Sequence, residues 1–337
     1  MNRIFWGGFF LLAFFVTRLV VAADVKTEVV VDGLDTPCGI AIQPQTGHIF
    51  VADSGAGRVV RIIDGKVEEV ITGYPLDTYG KEPSYNIGPL GLVFFDRDTL
   101  LVGDGGFKDG QEFVRIFQVP ASGQPPLKYE DQKIKLGPLG AEGTLKPEGN
   151  FYGLALVKNA LLVTCNGDDT KGWIARAEIN GTKFGDLKRF IATKEAVDVD
   201  APVAITTGPH GEIVVGQMGK LDVPKDSLVS FYHPGTGKLL LNQKTGLHDI
   251  TALAYSPKRQ LFALDFAWAN ADEGGLFQLV AENPGGQQTT SAVKIASLMK
   301  STAMTFGKAG ELYITVIGSK TDGQSKTGQL LKVAPGL

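Results

Sequence analysis

The sequence predicts an all-β fold: a single six-bladed β-propeller, closed by an N-terminal strand that completes the last blade. Three observations carry this. First, a small-residue apolar strand, a short turn and a second apolar strand recur six times, opening at Gly39, Gly91, Gly153, Ala204, Ala252 and Ala303. The steps are 52, 62, 51, 48 and 51 residues, and four-stranded propeller blades repeat at roughly 40 to 50 residues. Second, the sixth repeat has an inner pair and a third strand, Gln329 to Val333, but no fourth before Leu337. Third, a strand is left over at the front, Val25 to Val31, with Lys26 and Glu28 alternating among apolar residues. Pairing these two ends removes an exposed sheet edge and closes the ring. Seven blades is the alternative count.

Residues 1–23 read as a secretory signal peptide. Met1-Asn2-Arg3 is a short basic start, Ile4 to Val16 is an apolar run, and Val21-Ala22-Ala23 offers small residues for cleavage. The run is shorter than the ~20 residues that span a bilayer, and Arg18 interrupts any extension. The expectation is a secreted or periplasmic protein with one domain, 24–337, no membrane contact after cleavage, and a monomeric state. Taking Arg3 and Arg18 off the formal net charge of −3 leaves −5, with no cluster of Lys or Arg. That balance argues against nucleic acid or anionic lipid as partners. The two cysteines, Cys38 and Cys165, fall in blades one and three, which are not adjacent in a ring. Buried thiols are therefore expected ahead of a disulfide.

Blade one shows the full pattern: Ile49 to Asp53, Arg58 to Ile63, a turn at Asp64-Gly65, then Val67 to Ile71. Inner strands are nearly continuously apolar because neighbouring blades cover both sheet faces. Small residues such as Ala41, Ala155 and Ala254 suit the crowded axis.

Strand direction sorts the loops. Where each innermost strand begins, here the top, connections are long: residues 73–89, 137–150, 216–227, 265–275 and 318–328. Those at the bottom are short turns such as residues 43–47 and 208–211. Insertions gathered on one face of a repeat ring mark a binding face. Asp53, Asp104 and Asp265 share a repeat position before Gly-rich loops and are expected to accept hydrogen bonds from loop N–H groups. Asp168-Asp169 reads as a solvated turn. The mouth also offers Asn86, Glu148, Asn150, Asn166, Asp200 and Asp249, and of these Asn150, Asp200 and Asp249 are the candidate ligands of one divalent cation such as Ca²⁺. Of four histidines only His248 lies at the top, the single candidate general base. Tyr85, Asn86, Asn166 and Trp268 are the candidates to line the mouth and bind a sugar or another flat organic ligand. Motifs for a nucleophile elbow, a zinc protease, a Cys pair or a phosphate loop are absent from the sequence.

Pro37-Cys38-Gly39-Ile40-Ala41-Ile42, then Thr46 to Asp53, then Gly57-Arg58-Val59, is similar to the NHL repeat. The whole mature chain resembles the secreted six-bladed propellers grouped with NHL proteins and the gluconolactonase/regucalcin-like lactonases. That resemblance implies one divalent cation, Ca²⁺ or Zn²⁺, at the channel mouth, polarising a lactone carbonyl and activating water. The family sets an Asn and an Asp just ahead of the opening glycine of later inner strands. Here Tyr152 precedes Gly153 and Val203 precedes Ala204, with Asn150 and Asp200 displaced by two or three residues. The leading expectation is thus a secreted propeller binding a small molecule, glycan or protein at its top loops. The alternative is a metal-dependent lactone or ester hydrolase using Asn150, Asp200 and Asp249 as ligands and His248 as base. A quinone-dependent sugar dehydrogenase on the same fold is the third.

Overall fold

The computed structural model describes residues 25–80, 82–167, 171–221, 223–319 and 326–337. The signal-peptide assignment and the Asp168-Asp169 turn lie outside the described residues. Six four-strand blades follow in chain order. Their innermost strands are Pro37–Ile42, Pro89–Phe94, Phe151–Val157, Pro202–Thr207, Ile250–Tyr255 and Ser301–Phe306. Each pairs antiparallel with the next strand outward, as in Ile49–Asp53 of blade one and Leu312–Val316 of blade six.

The ring closes as the two chain ends predict. Thr27–Leu34 pairs antiparallel with Gly328–Val333 and supplies the fourth strand of blade six. It runs three residues beyond the predicted end, and that extension matters: Leu34 is 1% exposed and Val31 is buried, whereas Val29 is 51% exposed. Blade one gains a fifth, parallel strand, Leu127–Lys128, which covers its outer edge.

Between blades the core is apolar. Phe50, Val59 and Ile71 of blade one meet Phe94, Leu100 and Val102 of blade two, with Phe50 and Phe94 edge to face at 4.9 Å. Burying each large side chain contributes about 1.5–3 kcal/mol. Between blades one and two the backbones come too close for a side chain. A Cβ added at Gly39 would lie 2.0 Å from the carbonyl oxygen of Leu90 in the next blade, which is why glycine opens the first repeat.

One irregularity is repeated in every blade. Each innermost strand shifts register against its neighbour near its start, at residues 37–40, 89–92, 151–154, 202–204, 250–252 and 301–303. A β-bulge leaves its extra residue out of the ladder and re-aims its side chain. The re-aimed residues are Cys38, Leu90, Tyr152, Val203, Thr251 and Thr302, and all six line one cavity. Both cysteines are free and buried.

Candidate functional site

The bulged residues form the lower part of a cavity on the propeller axis, with about 590 Å³ of empty space, the open mouth included. Thr251 and Thr302 turn their hydroxyls away from it, donating to the carbonyls of Ser301 (2.8 Å) and Pro37 (2.6 Å) in the next blade. Tyr152 crosses the axis and donates its phenol to the Thr302 carbonyl at 2.8 Å. Burial pushes that phenol well above its ordinary range and the Cys38 thiol up to about 12, so neither ionises near neutral pH.

Residues that follow the second strands, together with a small hairpin, make the upper wall. The long loop before blade two folds into Asp77–Tyr79 paired with Tyr85–Ile87. Alternation along the second of these strands turns Tyr85 and Ile87 inward and leaves Asn86 exposed. Tyr79 and Tyr85 approach Trp268 edge-on, at 5.9 and 5.7 Å between centroids, and Trp268 stacks on Phe266 at 5.2 Å. Gly80 is pressed so closely on the Trp268 ring that a Cβ there would lie 2.5 Å away. The hairpin of one side thus reaches the aromatic loop of the other and roofs the cavity.

That aromatic loop is held by charge. Asp265 accepts from the N–H groups of His248 (3.0 Å), Asp249 (2.8 Å) and Ala267 (3.1 Å). Asp249 accepts from the N–H of Trp268, and Lys300 donates to the carbonyls of Ala267 (3.1 Å) and Trp268 (2.6 Å). Burial raises Asp249 to about 6 against the hydrogen bond from Trp268, and burial lowers Lys300. Asp53 and Asp104 do the same work in their blades, binding the Asp35 N–H and Arg58, and the Phe113 N–H and Arg115. The expectation that this repeat position serves the loops is met.

Of the predicted site residues, Tyr85, Asn150, Asn166 and Trp268 line the cavity. Asn86 does not. Asn150 takes a left-handed backbone (φ 49°), with its N–H on buried Glu112 and its amide on the Asn166 carbonyl at 3.3 Å. Asp200 is spent elsewhere, on Lys194 (2.8 Å) and the Ala201 N–H (2.7 Å), and Asp249 is spent on Trp268. Neither lines the cavity with Asn150, so the predicted cation set is not brought together. Among the described residues no group of three or more His, Cys, Asp or Glu side chains is placed to hold a metal ion. His248 is buried behind the wall, its Nε2 3.0 Å from Glu273, which also meets Lys225 at 3.3 Å. The hydrogen bond with His248 is the main cause that lowers Glu273.

The bulged ring, with Phe266, Met218 and Ile317 above it, escaped sequence reading. The usable signal was the repeat itself: the six ring residues stand one position ahead of the six repeat starts.

No protein-family model and no curated protein sequence matches the chain. Solved structures do. A gluconolactonase from Xanthomonas campestris aligns with a TM-score of 0.60 at 13% identity, over 93% of this chain and 91% of that one. An aldose sugar dehydrogenase from Escherichia coli gives 0.61 at 16%, over 93% and 100%. The PQQ-bound aldose sugar dehydrogenase from Streptomyces coelicolor gives 0.57 at 12%, over 93% and 99%. The chain therefore shares the six-bladed fold of gluconolactonase-like and sugar dehydrogenase propellers. Its axial cavity fits neither group's implied cofactor. Among the described residues that line it there is no Asp or Glu to ligate a divalent cation and no Lys, Arg or His to offset an acidic quinone.

Proposed function

We propose that the protein is a secreted, monomeric, non-catalytic binding protein that holds a small molecule in the axial cavity at its top face. One observation carries this reading. The six bulged positions that aim side chains at the axis hold Cys38, Leu90, Tyr152, Val203, Thr251 and Thr302, with no carboxylate or imidazole among them. Hydrolysis of a lactone needs a metal or a base at the reacting carbon. Here Asp200, Asp249 and Asp265 are engaged in holding loops. Export rests on the leader pattern of residues 1–23.

Fold likeness to gluconolactonases supports a second reading, a metal-assisted hydrolase using Asn150, Asp200, Asp249 and His248. The two are separated by metal analysis of the mature chain, purified from Asp24 without chelator and then incubated with Ca²⁺ and Zn²⁺. The binding reading expects no stoichiometric ion and no turnover of lactones or esters. An equivalent of either ion, lost on Asp200→Ala together with lactone turnover, overturns it.

A further inference from the structure

We infer that the cavity selects a neutral, apolar ring molecule over sugars, acids and metal chelates. The inference deepens the binding reading above and rests on it.

Its basis is where the polar atoms of the wall are directed. The described residues that line the cavity carry no charged side chain, and most of them are apolar or aromatic. Thr251 and Thr302 donate to carbonyls of the next blade, Tyr152 donates across the axis, and Cys38 donates to the Thr36 carbonyl at 3.4 Å. The amide of Asn166 is 3.3 Å from the Tyr79 hydroxyl. A sugar entering this space would find few partners for its hydroxyls, the side-chain amides of Asn150 and Asn166 among them, and each hydroxyl left without one lowers affinity by roughly tenfold. Among the described residues that line the cavity a carboxylate meets no countercharge, and Lys300 behind the aromatic loop is engaged by two of its carbonyls.

The wall is also preformed. Trp268 is clamped at its N–H by Asp249 and at its carbonyl by Lys300, and Phe266 and Tyr85 pack against its ring. A rigid apolar space with ring edges and faces on several sides favours an aromatic guest and loses little order on binding.

The test uses 2-naphthol as probe and glucose and glucono-δ-lactone as counter-probes, followed by calorimetry and equilibrium dialysis. Trp268→Ala removes a wall, and Val203→Phe fills the floor, where Val203 and Met218 pack in one cluster with Trp268. The expected result is about one 2-naphthol per chain, weakened by about tenfold or more in both variants, with no binding of either counter-probe. If a counter-probe binds in place of 2-naphthol and Val203→Phe abolishes it, the ligand class is wrong while the binding site stands. If nothing binds, or 2-naphthol binds Val203→Phe unchanged, both the ligand class and the cavity reading fail.

Discussion

The phenol of Tyr152 in blade three donates to the main-chain carbonyl of Thr302 in blade six, 2.8 Å away across the propeller axis. In a six-membered ring these blades are opposite, so one side chain ties the two halves together. Tyr152→Phe keeps the ring and leaves the Thr302 carbonyl without this buried donor. The expected loss is about 1–3 kcal/mol in denaturant unfolding, with 2-naphthol binding retained. Unchanged stability would show that the carbonyl finds another donor.

Asp249 gives stability a pH dependence. Its pKa in the folded chain is raised to about 6 by burial, above the ~3.9 of an exposed aspartate. The folded state therefore holds the proton more tightly, so this contribution is fully present below about pH 4 and is lost as pH rises through about 6. Its size is roughly 2–3 kcal/mol. Asp104, at about 6, and Glu112, at about 8, are raised by burial and add the same sign. Asp249→Asn is expected to flatten the wild-type decline between pH 4 and 7 by about that amount, read from urea midpoints at each pH.

Closure of the ring separates two substitutions in one strand. Leu34→Ala, at a fully buried position, is expected to cost about 2–5 kcal/mol. Val29→Ala, largely exposed, is expected to stay within about 0.5 kcal/mol. Equal effects in chemical denaturation would mean the strand is not seated as described.

Gly39→Ala tests the close approach at the axis. The new Cβ would lie 2.0 Å from a backbone oxygen that no rotamer can move. A loss of about 3 kcal/mol or more is expected, seen as reduced soluble yield and an early urea midpoint. A stable Gly39→Ala protein would refute the contact.

Cys38 reports on the cavity. Its thiol lines the wall, is buried, and is pushed up to about 12 by that burial. Maleimide is expected to label neither Cys38 nor Cys165 in the native protein and both after unfolding. Fast native labelling of Cys38, slowed by 2-naphthol, would instead reveal an open roof.

Much of this was legible in the chain. The period of the repeat, the missing fourth strand of blade six and the spare strand at the front fixed blade number and closure, because each depends on pattern along the sequence. The roles of Asp53, Asp104 and Asp265 were legible too, since an aspartate before a Gly-rich loop finds its partners nearby. Tyr85, Asn150, Asn166 and Trp268, which the chain offers for the mouth, line the axial cavity.

The rest needed the third dimension. Asp200 and Asp249 are oxygen donors by composition, and only their partners, Lys194 and the Trp268 N–H, remove them from the axis. Asn86 was one residue out of register in a hairpin whose alternation depends on pairing with Thr78. The ring from Cys38 to Thr302 is set by six bulges, and a bulge is a mismatch between two strands that neither strand carries alone. The sequence by itself determined the propeller, because hydrophobic period and strand count are one-dimensional properties. Tertiary structure alone decided which side chains face the axis, because that depends on register, and on which polar groups are already satisfied when the blades meet.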